Sequence, residues 1–199
     1  MRAAKRLRNC QGNIHLQPKD WKKRAKAIRL LLLDVDGVLT DGRIVYDGKG
    51  RELKSFDIKD GQGIKLFQQA GLKVGIISGR KSSAVRLRAK ELGIEILHQK
   101  ALDKAKTLEV ILQNNQIRAE QVCFMGDDIL DLPVLLRVGL AVAVADGAEE
   151  VKTNAHYVTH HPGGRGAVRE ICELLLKAQG KWEPITRKYS LAKTFKPSP

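Results

Sequence analysis

Two aspartates one residue apart, Asp34-Val35-Asp36, end a run of four leucines, Leu30–Leu33, and lead into Gly37. Three more apolar runs end in or lead to residues of matching chemistry: Ser78-Gly79-Arg80, then Lys104, then Gly126-Asp127-Asp128 with Asp131 close behind. Carboxylates, a hydroxyl and an ammonium in this order suit phosphoryl transfer. Asp34 and Asp127 can hold a hard, oxygen-seeking cation such as Mg²⁺, which keeps several waters and joins one or two carboxylates to a substrate phosphate. Asp34 can offer its other oxygen as nucleophile, because cationic neighbours offset the repulsion between carboxylate and phosphate. The turn at Gly37 is expected to carry Asp36 away from the Asp34 side, where a carboxyl can protonate a leaving alcohol and later accept a proton from water. Ser78 and Lys104 would bind the equatorial phosphoryl oxygens as charge develops on them. Singly, each signature has an ordinary explanation: Asp-x-Asp-Gly is a common turn or calcium-like loop, Ser78-Gly79 a turn, Lys104 a surface lysine. Their recurrence at successive strand ends is what points to one site.

The elements that must position these groups follow from the hydrophobic pattern. Leu30–Leu33, Lys73–Ile77, Ile94–Leu97, Gln121–Met125 and Leu140–Val144 read as strands, most too continuously apolar for a sheet with one wet face. Gln62–Ala70, Ser82–Leu92, Lys104–Asn114, Ile129–Val138 and Gly166–Ala178 read as the helices between and after them. The alternation predicts an α/β fold with a parallel sheet covered on both faces, whose ligands bind at the carboxyl ends of the strands. One segment departs from it. Arg43–Asp47 and Arg51–Asp57 flank Asp47-Gly-Lys-Gly50 and predict a projecting β-hairpin directly after the two aspartates. The gaps from Asp36 to Ser78 and from Ser78 to Lys104 hold only the hairpin and one helix and strand each. Neither leaves room for a lid domain.

The 199 residues, 43% hydrophobic, fit one sizeable core. The formal charge of +14 is unevenly spread. Residues 1–29 hold ten Lys/Arg against Asp20 alone and residues 177–199 six against Glu183 alone, while residues 30–176 hold twenty of each sign. The body is neutral, aromatics are 5%, and no basic stripe with interleaved stacking residues appears, which argues against a nucleic-acid substrate. Cys10, Cys123 and Cys172 form no C-x-x-C pair, so a reducing, cytoplasmic setting is expected rather than a disulfide framework or a zinc knuckle. Apolar runs fall short of the roughly 18–20 residues of a membrane span, and no apolar stretch follows the basic start as a signal peptide requires. His160-His161 looks like a metal pair, but adjacent side chains in an extended chain point apart, which favours a structural role. Gly163-Gly-Arg-Gly166 could cradle an anion at a helix start or simply form a turn. Cys123 is expected in the core, Cys172 on a helix face, and Trp21 and Trp182 as anchors for the two arms.

Asp34-Val-Asp36-Gly-Val, Ser78-Gly-Arg80, Lys104 and Gly126-Asp127-Asp128-x-x-Asp131 resemble the four motifs of the haloacid dehalogenase (HAD) superfamily of aspartate-nucleophile phosphatases. Leu31–Gly42, Phe56–Gly63, Val142–Asp146 and Gly163–Glu170 further resemble the 3-deoxy-D-manno-octulosonate 8-phosphate (KDO 8-phosphate) phosphatases of lipopolysaccharide precursor synthesis. The resemblance runs from about Ile28 to Trp182 and implies a cap-less, HAD-like Rossmannoid domain over residues 28–182, with a basic arm over 1–27 and a flexible tail over 183–199. It implies Asp34 as nucleophile and metal ligand, Asp36 as acid/base and ligand through its backbone carbonyl, Asp127 as the remaining ligand, and Asp128 and Asp131 as supporting carboxylates. Ser78 and Lys104 would hold phosphate; Thr40, Asp60, Gly79, Arg80 and Arg165 would meet the substrate. The resemblance also implies a homotetramer in which hairpin and tail cover a neighbour's site, and a small sugar phosphate rather than nucleic acid or membrane as partner. A nine-carbon, sialic-acid-type sugar phosphate is the alternative substrate. A catalytically idle oligomerisation module, as on some sialic-acid cytidylyltransferases, is the non-enzymatic alternative, and the intact acidic set argues against it.

Overall fold

A computed structural model describes residues 18–189; Cys10, the start of the basic arm and the end of the tail lie outside these. The chain begins with α1 (Pro18–Ala27), β1 (Leu30–Leu33), a hairpin of β2 (Val45–Tyr46) and β3 (Glu52–Leu53), and α2 (Ile58–Gln69). Then β4 (Lys73–Ser78), α3 (Ser83–Leu92), β5 (Ile96–Gln99) and α4 (Lys104–Asn115) alternate. The second half adds β6 (Val122–Gly126), α5 (Leu132–Leu135), β7 (Leu140–Ala143), α6 (Glu149–Asn154), β8 (Tyr157–Val158), α7 (Ala167–Ala178) and α8 (Trp182–Arg187). Six strands form one parallel sheet in the order β5-β4-β1-β6-β7-β8, with β2 and β3 apart as an antiparallel pair.

Alternation along the strands divides the core between the two faces. Leu31, Leu33, Val74, Ile76, Cys123, Met125 and Val142 pack with residues of α2, α3 and α7, including Ile64, Phe67, Val85, Ile171 and Leu175. Leu30, Leu32, Ile77, Val122, Phe124 and Ala141 pack with Leu108 and Ile111 of α4, Val134 and Leu135 of α5 and Val151 of α6. Both faces of β1 are therefore dry, each leucine contributing roughly 1.5–3 kcal/mol on burial. β1 lies between β4 and β6, with Leu33 beside Ile76 and Met125. The carboxyl ends of all three strands consequently open on the same edge.

Four expectations need correction. Residues 1–27 are not wholly an arm: α1 buries Ala25 and part of Trp21 against the core, and Gln179 Nε2 donates to the carbonyls of Ala25 and Ile28 at 3.0 and 2.9 Å. The basic composition of α1 hides its short apolar face. Likewise α8 starts at Trp182 and buries Ile185, so residues 183–187 are not free tail. The single helix expected over 129–138 is a 3-10 turn, Ile129–Asp131, followed by the short α5. Asp131 is drawn back to the backbone of Asp127 and Asp128 and breaks the helical run. The six-residue α6 and the two-residue edge strand β8 were too short to show in the pattern.

Candidate active site

The loop carrying Asp34 and Asp36 is an extension of β1. Asp34 N–H donates to Met125 O at 3.0 Å, prolonging the β1–β6 pairing, after which the chain winds so tightly that Val38, Leu39 and Thr40 N–H all donate to Val35 O at 3.2, 2.9 and 3.0 Å. Gly37 makes that turn with φ of +88°, and a Cβ there would lie 2.0 Å from Asp127 Oδ2. Only glycine lets the end of β1 approach Asp127 at the end of β6. The loop between β8 and α7 packs on its other side: a Cβ on Gly163 would meet Gly37 O at 1.7 Å, and Gly164 N–H donates to Val38 O at 2.8 Å.

Four predicted site residues converge below this loop. Lys104 Nζ lies 2.9 Å from Asp34 Oδ1 and 2.6 Å from Asp131 Oδ1, and all three side chains are buried. Asp131 uses its second oxygen to accept from Asp127 N–H at 3.0 Å and Asp128 N–H at 3.4 Å. Carboxylate oxygens of Asp34, Asp127 and Asp131 fall within 4.8 Å of one another. Because both Asp131 oxygens already have donors, this residue organises the cluster, whereas Asp127 Oδ1 is buried with no hydrogen-bond partner. Burial, then the Asp131 charge, pushes the Asp34 carboxyl up to about 6 against the pull of Lys104. Burial, then the charges of Asp34 and Asp131, pushes Asp127 up to about 8. Burial alone would lower Lys104, but Asp34 and Asp131 hold its ammonium above the usual range. Buried carboxylates with one cation among them and an orphaned oxygen fit a divalent ion that prefers oxygen ligands.

Asp36 faces the other way: strand alternation alone would put residues 34 and 36 on one face, but β1 has ended at Leu33 and the chain is already turning toward Gly37. Its Oδ1 pairs closely with Lys54 Nζ of the hairpin, and Oδ2 lies 3.8 Å from Arg80 Nε. Arg80 Nη2 also reaches Glu52 Oε2 at 2.5 Å, and Lys54 Nζ lies 3.3 Å from Glu52 Oε1. Burial tends to raise the Glu52 carboxyl, but donors from Arg80, Ser82 and Lys54 hold it below its ordinary range. Lys54 went unnoticed in the sequence, where a lysine in a hairpin looks like a solvent-facing residue.

The remaining predicted residues divide. Ser78 is buried at the end of β4, its hydroxyl accepting from Arg80 N–H at 3.3 Å, and Gly79 is open to solvent. Arg165 is 61% exposed with Nη2 at 3.9 Å from Asp41 Oδ2. Asp128 is exposed and accepts from Ile129 N–H at 2.7 Å. Two residues assigned to substrate bond to the scaffold. Thr40 is buried, its hydroxyl donating to Val35 O at 3.3 Å. Asp60, 1% exposed, accepts from Gly166 N–H at 3.3 Å and Arg169 N–H at 2.8 Å and so caps α7 from α2. His160 and His161 do not point apart: the chain turns after β8, and both Nδ1 atoms approach Glu170, at 2.9 and 2.8 Å. Their role is structural, as expected. Burial favours a raised Glu170 carboxyl, but hydrogen bonds from these imidazoles and Tyr157 outweigh it and hold it at about 2. Cys123 and Cys172 are both buried. A groove of about 810 Å³ between α1 and α7 includes Arg165 but none of the clustered carboxylates.

Residues 94–171 match the family model of haloacid dehalogenase-like hydrolases. The chain is 47% identical over 167 residues to the 3-deoxy-D-manno-octulosonate 8-phosphate phosphatase of Yersinia pestis, covering 84% of this chain and 89% of that one. The crystal structure of the Yersinia pestis enzyme superposes with a TM-score of 0.82 over 83% of this chain and 89% of that chain. That of the Moraxella catarrhalis phosphatase, in complex with magnesium, phosphate and KDO, is 39% identical and superposes with a TM-score of 0.83 over 84% of this chain and 97% of its own. With the acidic cluster assembled on a parallel sheet and relatives this similar over most of its length, the chain belongs to the 3-deoxy-D-manno-octulosonate 8-phosphate phosphatase family of haloacid dehalogenase-like hydrolases.

Proposed function

We propose that the protein hydrolyses 3-deoxy-D-manno-octulosonate 8-phosphate to the free acid sugar and inorganic phosphate, with Mg²⁺ as cofactor. The observation that carries this is the pairing of a lysine-clamped Asp34 with Asp127, whose buried Oδ1 lacks a partner. Asp34, Asp127 and the backbone carbonyl of Asp36 would hold the ion. Bound Mg²⁺ supplies positive charge that lets a carboxylate approach a phosphate.

The chain's own groups then divide the work. The Asp34 oxygen attacks phosphorus while the phosphorus–oxygen bond to the sugar C8 breaks, and Asp36 gives the departing alkoxide its proton. Water attacks the resulting aspartyl-phosphate as Asp36 takes the proton back, and phosphate leaves. Lys104 and the Ser78 hydroxyl stabilise the equatorial oxygens, Lys104 at no cost in reorganisation because Asp34 and Asp131 already fix it. Asp128 and Asp131 support the cluster, and Gly79, Arg80 and Arg165 line the approach for the sugar.

Among the described residues no separate domain covers the site, and an open site is poorly protected from water. The hairpin exposes Ile44, Val45, Tyr46 and Leu53, an apolar patch that supports contact with a second copy. A cytoplasmic homotetramer is the assembly proposed. Ile44→Asp should then reduce both the sedimenting mass and kcat/KM; a dissociated mutant with full efficiency would show that one chain suffices. Among the described residues no helix is long and apolar enough to cross a membrane.

Turnover of a panel with Mg²⁺, comprising the eight-carbon and nine-carbon acid sugar phosphates and a nucleotide, tests the substrate. A preference above about tenfold for the eight-carbon sugar, some 1.4 kcal/mol in the transition state, is expected. Preference of that size for either competitor would overturn the assignment.

A further inference from the structure

The hairpin residue Lys54 offers more than a link between strand and body. Its side chain is 1% exposed, and an ammonium so far from water persists only when paired. Its partners are Asp36 Oδ1 and, at 3.3 Å, Glu52 Oε1. Glu52 stands two residues before Lys54, and both side chains reach Asp36 or its partners from the β3 end of the hairpin. Arg80, from the end of β4, closes the ring through Glu52 at 2.5 Å and Asp36 Oδ2 at 3.8 Å. Each Asp36 oxygen thus has its own cation, from a different element, while Asp34 two residues earlier has Lys104.

We infer that Lys54 is a positioning residue for the reaction: it fixes the Asp36 carboxyl in the orientation from which the proton reaches the leaving alcohol. This rests on the acid/base reading of Asp36 above. An aspartate has two side-chain torsions, and the Asp36 side chain, 27% exposed, stands at the half-open mouth of the site. The Lys54 pair supplies the restraint that packing supplies elsewhere. The β2–β3 ladder holds only two residue pairs, Val45 with Leu53 and Tyr46 with Glu52, so the same contact fastens the hairpin to the catalytic loop. The hairpin is then part of the proton-transfer apparatus within its own chain.

A strut and a positioning residue differ in how they respond to the leaving group. Lys54→Met keeps the length of the side chain and removes the charge. For the sugar phosphate, whose alkoxide needs a proton, kcat/KM should fall by about 10²-fold, the loss that a small misplacement of a catalytic group can cause. For p-nitrophenyl phosphate, whose leaving group needs none, kcat/KM should change by less than about threefold, since this ratio reports only steps through phosphorylation of Asp34. Lys54→Arg should recover part of the sugar-phosphate rate, and the melting temperature should not track these changes. Equal losses with both substrates, or losses that follow melting temperature, would overturn the inference. If Lys54→Met does not fold, Glu52→Gln, which loosens the second partner, should show the same substrate selectivity in weaker form, and equal effects on both substrates would refute it. Asp36→Asn separates the two levels. Selectivity in Asp36→Asn but not in Lys54→Met removes only the role of Lys54, whereas its absence from Asp36→Asn removes the acid/base reading as well.

Discussion

Asp34 and Asp36 are separated by a single residue, yet the first sits buried among Lys104, Asp127 and Asp131, and the second at the open mouth between Lys54 and Arg80. The Asp34 side is built from the neighbouring ends of β1 and β6 and the start of α4, and its groups are placed by sheet register. The Asp36 side is built from a short hairpin and the β4 end, and its groups are placed by ion pairs. Charge is correspondingly frustrated on one side and satisfied on the other. Asp34 and Asp127 are pushed up to about 6 and about 8, first by burial and then by the like charges around them. Glu52, with Arg80 and Lys54 beside it, is held down. A region short of cations is suited to receive one, and a region of matched pairs is suited to keep a side chain in place.

The largest effect tests that division directly. Asp34→Asn should lower turnover on the order of 10⁴-fold or more with the fold intact, as removal of a nucleophile does. Rapid acid quench of the wild type should trap phosphate on Asp34, and wild-type rates in the variant would end the mechanism. Asp36→Asn should cost about 10²–10⁴-fold with the sugar phosphate, the usual range for a general acid, and much less with an activated aryl ester in the phosphorylation step. Similar losses with both esters would place Asp36 with Asp34 rather than opposite it.

The frustrated side should also reveal itself through pH. A carboxyl whose folded-state pKa lies above its unfolded value binds more protons when folded, so the metal-free protein loses stability as pH rises from the ordinary 3.8 through about 8 for Asp127. Mg²⁺ opposes that loss and must displace the proton to bind. At one Mg²⁺ concentration the gain in melting temperature should therefore be clearly larger near pH 8 than near pH 5.5, and Asp127→Asn should narrow the difference. An equal gain at both pH values would mean that the cluster is not where the ion acts.

What the sequence revealed follows the same division. The buried side was legible because each group ends or follows an apolar run, and the run fixes the strand, the strand its carboxyl end, and the end the site. The hairpin side was legible only as a hairpin. Lys54 meets Asp36 across 18 residues of chain that turn back on themselves, and nothing in the pattern of β3 marks a lysine that faces inward. His160 and His161 were expected to diverge because an extended chain was assumed where the chain turns. The basic run of residues 18–29 masked a helix whose contacts come from α7 and the sheet. Asp60 was placed with the substrate because it lies within a stretch that resembles the family; its partners stand 106 and 109 residues away and could not be read locally.

Asp60 supplies the smallest predicted change and shows where the two-sided picture stops. It is buried, and burial raises its carboxyl against hydrogen bonds from the α7 amides. Through Gly166 it holds the start of α7 and hence the loop whose Gly163 and Gly164 rest on Gly37 and Val38. Asp60→Asn keeps one acceptor oxygen but turns an amide group toward donors, which should cost about 1–2 kcal/mol as the loss of a good cap does. For a domain of this size that is a fall in melting temperature of roughly 2–8 °C. KM for the sugar phosphate should stay within about twofold, because the side chain meets backbone amides rather than the open site. A tenfold rise in KM with an unchanged melting temperature would give Asp60 back to the substrate, and would add the α2–α7 junction as a third wall of the active site beside the sheet edge and the hairpin.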